Sequence, residues 1–205
     1  LNIALIIFGW RRYRELTGEV AERRKAEQHA RFLAEADPLT GCLNRRSVTD
    51  AADRLIAETS QRGEAMAFIM IDLDRFKQIN DSRGHSAGDR MLIETARRLH
   101  ASLPGNALVA RVGGDEFACI VPFDPARPGQ IDRLVDGLIS EISRTVDHDD
   151  GELETTISAG IYRRDPNSEE TTQAALHQAD IAMYHAKKRG RNRYCWFDPA
   201  MESEL

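Results

Sequence analysis

Asp72 interrupts the most apolar run in the chain, Ala67-Phe68-Ile69-Met70-Ile71-Asp72-Leu73, and Asp74 follows two positions later on the same strand face. A second acidic pair, Asp115-Glu116, comes directly after Gly113-Gly114. Burying a carboxylate without a partner is costly, so an acid in such a run needs a reason, and a cation is the obvious one. If the second pair lies beside the Asp72 strand, three or four carboxyl oxygens converge with no Lys or Arg in the motif to neutralise them. Hard oxygen donors grouped in this way suit Mg²⁺ or Mn²⁺, which keep some waters and take their remaining ligands from phosphates. Taken singly, Asp72 caps a strand end and Asp115 and Glu116 solubilise a turn. A metal ion accounts for all of them together.

Other residues near these acids are suited to phosphates and a base. The segment Asp74 to Asp81 reads as a short helix immediately after the strand, so its first-turn amides point at whatever sits at the strand's end. Lys77 adds a mobile positive charge. Asn80 and Asp89 together can read a purine edge, since a carboxylate accepts well from two adjacent N–H donors and guanine offers such a pair. The alternative for Asp89 is an ordinary first-turn acid on the helix that begins near Gly88. Five cations fall in the seven residues Lys187 to Arg193. At a helix C-terminus ending at Gly190 such charges are favourable without any ligand, and that reading suits Lys188 and Arg189. They are also the densest supply of phosphate partners in the chain.

Alternating helix-like and strand-like runs must hold these groups in place. Asn44 can cap a helix with Val48, Ala52, Leu55, Ile56 and Thr59 on one stripe. Ala67 to Leu73 reads as a strand buried on both faces. A second helix follows Ser86, with Met91, Leu92, Thr95, Ala96, Leu99 and Leu103 inward. Ala107 to Val112 and Asp115 to Val121 flank the two glycines as a hairpin. A helix carries Ile131, Leu134, Val135, Leu138 and Ile142. Thr155 to Tyr162 is strand-like, Thr172 to Lys188 helical, and Arg193 to Phe197 a last strand. The pattern predicts an α/β (α+β) domain in which helices flank a sheet, mixed rather than purely parallel because of the hairpin.

The 205 residues hold 28 Lys and Arg against 33 Asp and Glu, a net charge of −5, so the surface is no electrostatic funnel and nucleic acid is excluded as a general partner. Cys42, Cys119 and Cys195 have no paired spacing, which argues against a disulfide framework or a zinc knuckle and fits a reducing compartment. Residues 1–10 are apolar and precede Arg11, Arg12 and Arg14. Too short to cross a bilayer alone, they read as the end of a membrane-crossing helix, with a short apolar amphipathic end as the alternative. Residues 11–36, rich in Glu, Arg, Lys and Ala, read as a linker helix with a broken coiled-coil seam through Leu16, Val20, Ala30 and Ala34.

The blocks Asp37-Pro38-Leu39-Thr40-Gly41, Asn44-Arg45-Arg46, Ile71 to Asp81, Gly84-His85, Gly88-Asp89 and Arg111-Val112-Gly113-Gly114-Asp115-Glu116-Phe117 resemble the GGDEF family of diguanylate cyclases. Ser158-Ala159-Gly160-Ile161, Ala179-Asp180, Met183-Tyr184, Ala186-Lys187 and Gly190-Arg191-Asn192 continue the resemblance, in order, to about Phe197. The resemblance implies a palm-like fold related to nucleotidyl cyclases and polymerases over residues 37–198. It also implies condensation of two GTP into cyclic di-GMP with release of two pyrophosphates. Asp72, Asp115 and the Leu73 carbonyl are then metal ligands, and Glu116 is a further ligand or the group that helps take the ribose 3′-hydroxyl proton. Asn80 and Asp89 hold guanine, Phe76 and Lys77 lie under the phosphates, and Lys187 and Arg191 clamp them. Gly113 and Gly114 let the backbone turn tightly and approach the nucleotide.

One domain built for one GTP must meet a second with two-fold symmetry to make the two identical bonds. The 11–36 helix is expected to set that pairing for a sensor upstream, as a signalling helix of a cytoplasmic domain whose parent is anchored in the inner membrane. Pro104-Gly105-Asn106-Ala107 stands where many relatives carry an Arg-x-x-Asp product-inhibition motif, so feedback through that site is not expected. Residues 199–205 are similar to the connector into an EAL-type phosphodiesterase. The alternative reading is therefore a catalytically silent GTP-binding module controlling a downstream EAL domain.

Overall fold

The computed structural model describes residues 10, 12–14, 34–127, 129–148 and 151–204. The chain divides into two units, residues 1–36 and 37–205. In the first, the described residues 10, 12–14, 34 and 35 are helical, and the Arg14 guanidinium lies 4.8 Å from the centre of the Trp10 ring. The expected membrane-helix end and most of the linker helix lie outside the described residues. Among those described, no helix is long and apolar enough to cross a membrane.

The second unit begins with a two-residue strand, β1 (Leu43–Asn44), running directly into α1 (Arg45–Ser60). The Asn44 side chain accepts hydrogen bonds from the backbone N–H groups of Arg46 and Ser47, satisfying two of the donors a helix start leaves open. β2 (Ala65–Leu73) is buried along its whole length. It leads through Arg75, in the left-handed conformation at φ 58°, into α2 (Phe76–Arg83). Gly84, at φ 85°, turns the chain into α3 (His85–Ser102). β3 (Leu108–Arg111) and β4 (Glu116–Phe123) form the hairpin. α4 (Gly129–Ile142) and a small hairpin of β5 (Val146–His148) and β6 (Gly151–Leu153) follow. β7 (Ile157–Arg164), α5 (Thr172–Lys188), β8 (Arg193–Trp196) and a 3₁₀ turn (Pro199–Glu204) complete the unit.

The main sheet has the order β1-β3-β4-β2-β7-β8. β2 is antiparallel to both neighbours, while β1 with β3 and β7 with β8 are parallel, so the sheet is mixed as expected. Alternate residues of β2 feed two cores. Ile69, Ile71 and Leu73 pack with Met91 and Leu99 of α3 and with Ile131 and Leu138 of α4. Phe68 and Met70 pack with Val48 of α1 and with Ala175 and Met183 of α5. Asp72 falls on this second face.

α5 sits directly on β7. A Cβ at Gly160 would lie 2.0 Å from both the Ala179 carbonyl oxygen and the Met183 nitrogen, so only glycine permits the contact. Arg98, buried on α3, donates to the carbonyls of Glu141, Ile142, Arg144 and Thr145. It thereby closes the end of α4 and fixes the segment entering β5.

Candidate active site

The end of β2 and the start of β4 meet in register, with Asp72 directly opposite Glu116. Opposed residues of an antiparallel pair share a face, with Cβ atoms about 5 Å apart, so both side chains leave the same face of the sheet. The connection between β3 and β4 holds this register. Both the Val112 and Gly113 N–H groups donate to the Glu116 carbonyl, and the Leu73 N–H donates to the Asp115 carbonyl at 3.2 Å. Neither Gly113 nor Gly114 has the positive φ that a tight glycine turn uses. Gly113 is needed for room instead: a Cβ there would lie 2.5 Å from Glu116 Oε2, so the Glu116 side chain folds over a bare backbone.

Asp72 is buried and faces a single cation among the described residues, with Lys187 Nζ 2.6 Å from its Oδ2. Burial first, and then the charges of Asp115 and Glu116, push the Asp72 carboxyl up to about 6 against the opposing pull of Lys187. An acid so poorly compensated by the protein alone is suited to a further cation.

The expected group of acids loses one member, Asp74, while Asp115 and Glu116 lie close enough to Asp72 to act on its charge. Among the described residues no three His, Cys, Asp or Glu side chains group as a ready metal cage. Asp74, expected beside Asp72, already has its own partners. It accepts from the Thr156 hydroxyl at 2.6 Å, the Ser158 hydroxyl at 2.7 Å and the Asn192 N–H at 3.1 Å. Its task is to hold the loop at residues 190–192, all three left-handed, and with it Arg191, whose Nε lies 3.9 Å from Asp74 Oδ1. The side chains that could hold a cation are thus the Asp72–Glu116 pair with Asp115 adjacent. One or two carboxylates, supplemented by phosphate and water, are what a Mg²⁺-sized ion takes. The Leu73 side chain is in the core, leaving only its backbone for a ligand.

Where α2 meets α3, Asn80 lies against Gly88, the residue before Asp89. A Cβ on Gly88 would lie 2.0 Å from Asn80 Oδ1 and 3.0 Å from Phe76 Cζ, so Gly88 opens the space that Asn80 occupies and Asp89 follows at its rim. The Phe76 ring backs this pocket against the core, which leaves its backbone rather than its ring for phosphates. Lys77 is exposed on the first turn of α2. Lys188 packs over the Tyr184 ring and donates to the Glu204 carbonyl, the ordinary helix-end role expected for it. Glu116 opens onto a cleft of about 630 Å³ with Met70, Val112 and Arg45, and Arg191 onto another of about 590 Å³ with Arg75 and Ile79.

Arg111 fastens the hairpin to the start of the unit. Its guanidinium donates to the Gly114 carbonyl and to the Asp37 carboxylate. Burial would raise the Asp37 pKa, but hydrogen bonds from Thr40 and Arg111 outweigh it and lower the value.

The sequence profile of the diguanylate cyclase GGDEF domain matches residues 34–193. The chain belongs to the GGDEF family. Diguanylate cyclase TpbB of Pseudomonas aeruginosa is 38% identical over 83% of this chain and 39% of its own length. From the same species, the bifunctional diguanylate cyclase/cyclic di-GMP phosphodiesterase MucR is 35% identical over 83% of this chain and 24% of its length. The chain therefore spans only about a quarter to two fifths of these curated relatives. The coiled coil and GGDEF domain of DgcB from Caulobacter crescentus, solved with c-di-GMP, superposes with a TM-score of 0.79. The two are 29% identical, and the match covers 90% of this chain and 97% of that one. The five residues that name the family, Gly113 to Phe117, are the loop and strand start described above. In this GGDEF domain Phe117 is a fully buried core residue that anchors the motif, while Glu116 beside it faces the site.

Proposed function

We propose that this GGDEF domain is an active diguanylate cyclase, which joins two GTP into cyclic di-GMP with release of two pyrophosphates as a two-fold dimer. The observation that carries the reading is the register pair Asp72–Glu116, seated over bare Gly113 and facing Lys187. Asp72, the Leu73 carbonyl, Asp115 and Glu116 would hold a divalent cation, Mg²⁺ or Mn²⁺, which would supply charge neutralisation at the phosphates and lower the pKa of the attacking hydroxyl.

The chain's own groups do the rest. Asn80 and Asp89 hold the guanine edge and so fix the ribose relative to the acids. The amides opening α2 meet phosphate oxygens, and Lys77, Lys187 and Arg191 balance the triphosphate charge. The Glu116 carboxylate accepts the 3′-hydroxyl proton as the new phosphodiester forms and pyrophosphate leaves. Two copies related by a two-fold axis give each 3′-hydroxyl the other copy's α-phosphate. Feedback through an Arg-x-x-Asp site is not expected, because Pro104 to Ala107 lack its charges.

The test is incubation of concentrated protein with GTP and Mg²⁺, with the product identified by mass. Wild type gives cyclic di-GMP and Glu116→Ala loses at least about a hundredfold in rate, the scale of a removed general base. A wild type that binds GTP but forms no product, even when dimerised artificially, supports the silent regulatory module instead.

A further inference from the structure

We propose that Lys187 is a resident counter-ion which occupies the metal's place on Asp72 until a triphosphate draws it away, so that the site rejects a free divalent ion and accepts one that arrives on a nucleotide. This rests on the proposed reading of Asp72 as a metal ligand.

The geometry calls for an exchange rather than a static pair. Lys187 Nζ lies 2.6 Å from Asp72 Oδ2, one of the two oxygens Asp72 can offer a cation, and an ammonium held there opposes a divalent ion on the same carboxylate. The pair is largely shielded, with the Asp72 side chain 12% exposed, so the attraction is little screened. The Lys187 side chain is 26% exposed, at the last turn of α5, and its four-carbon stem can swing outward without disturbing the core. The neighbouring cations do not duplicate it. Lys188 is turned onto Tyr184, and Arg191 pairs with Asp74 rather than Asp72. A bare metal ion must therefore expel Lys187 with no new acceptor for the ammonium. A metal–triphosphate complex supplies that acceptor in the same event. Lys187 opposes the free ion by holding Asp72 and favours the nucleotide-bound ion by meeting its phosphates, so metal and nucleotide raise each other's affinity by the same factor.

The experiment compares wild type, Lys187→Gln and Lys187→Arg as the full chain. Binding of Mn²⁺ alone is followed by its electron paramagnetic resonance signal. Binding of the Mn²⁺ complex of α,β-methylene GTP is followed by calorimetry. Lys187→Gln should bind free Mn²⁺ about tenfold or more tighter than wild type, yet bind the Mn²⁺–nucleotide complex about tenfold or more weaker. Lys187→Arg, which keeps the charge, should remain weak toward free Mn²⁺. Free-ion affinity in Lys187→Gln that is unchanged or weaker overturns the proposal, as does a change of the same direction in both arms. Product formation by wild type is read separately. Cyclic di-GMP formed alongside unchanged free-ion affinity overturns this inference alone. Absence of product alongside tighter Mn²⁺ binding overturns the cyclase reading and leaves the counter-ion standing.

Discussion

Asp72→Asn should make the metal-free protein more stable while abolishing metal binding. In the folded chain the Asp72 carboxyl rises from 3.8 to about 6, with the attraction to Lys187 already included in that balance. At about 1.4 kcal/mol per pKa unit, an ionised Asp72 costs the fold about 3 kcal/mol. Asparagine keeps the shape, and its side-chain oxygen still accepts from Lys187. A folded pKa above the unfolded one means the native state holds the extra proton. The cost is therefore complete above about pH 6, shrinks as pH falls through the window, and is gone below 3.8. For a chain of this size about 1 kcal/mol moves Tm by about 2–4 °C. Thermal unfolding followed by circular dichroism in a chelator should thus place Asp72→Asn about 6–12 °C above wild type at about pH 8, with the gap closing toward about pH 4. A variant that melts at or below wild type at the higher pH refutes the argument, since Asp72 would then be well compensated by the protein alone.

Other substitutions separate room from chemistry. Gly113→Ala should fold with wild-type stability but lose about tenfold or more in kcat, because the new methyl displaces the Glu116 carboxylate rather than any backbone; steady-state kinetics beside a melting curve reads both. Asp89→Ala should relax the preference for guanine over adenine nucleotides by about tenfold or more, measured as the ratio of binding constants, since paired hydrogen bonds carry such discrimination. Gly160→Ala should destabilise by about 3 kcal/mol or more in urea unfolding, because the added Cβ meets helix backbone that no side-chain rotation can move.

Much of the framework was legible because local rules agreed with the fold. The Asn44 cap, the apolar β2 run, the hairpin around the glycines and α5 from Thr172 to Lys188 are all where the pattern put them. What escaped was short or non-local. β1 has only two residues, and the β5–β6 strands have three each, too few for alternation to show. β7 starts at Ile157 rather than Thr155 because the hydroxyls of Thr155 and Thr156 turn to Asp74. That same capture removes Asp74 from the acids around Asp72, and only the fold brings its partners from so far along the chain. The cations around Lys187 point to phosphates and the family resemblance makes it a clamp; nothing local points to Asp72. The Gly-Gly pair announced a turn correctly, yet the reason for Gly113 is the carboxylate above it.

The bare contact between Gly160 and α5 has a mechanical outcome. With strand peptide pressed on helix peptide and no side chain as a cushion, α5 is indexed along the sheet like a key in its slot. Lys187 lies about one turn beyond Met183 on that helix, and Asp72 sits on the strand next to Gly160. The helix cannot slide to widen the gap between them, so adjustment between ammonium and carboxylate is left to the torsions of one lysine stem.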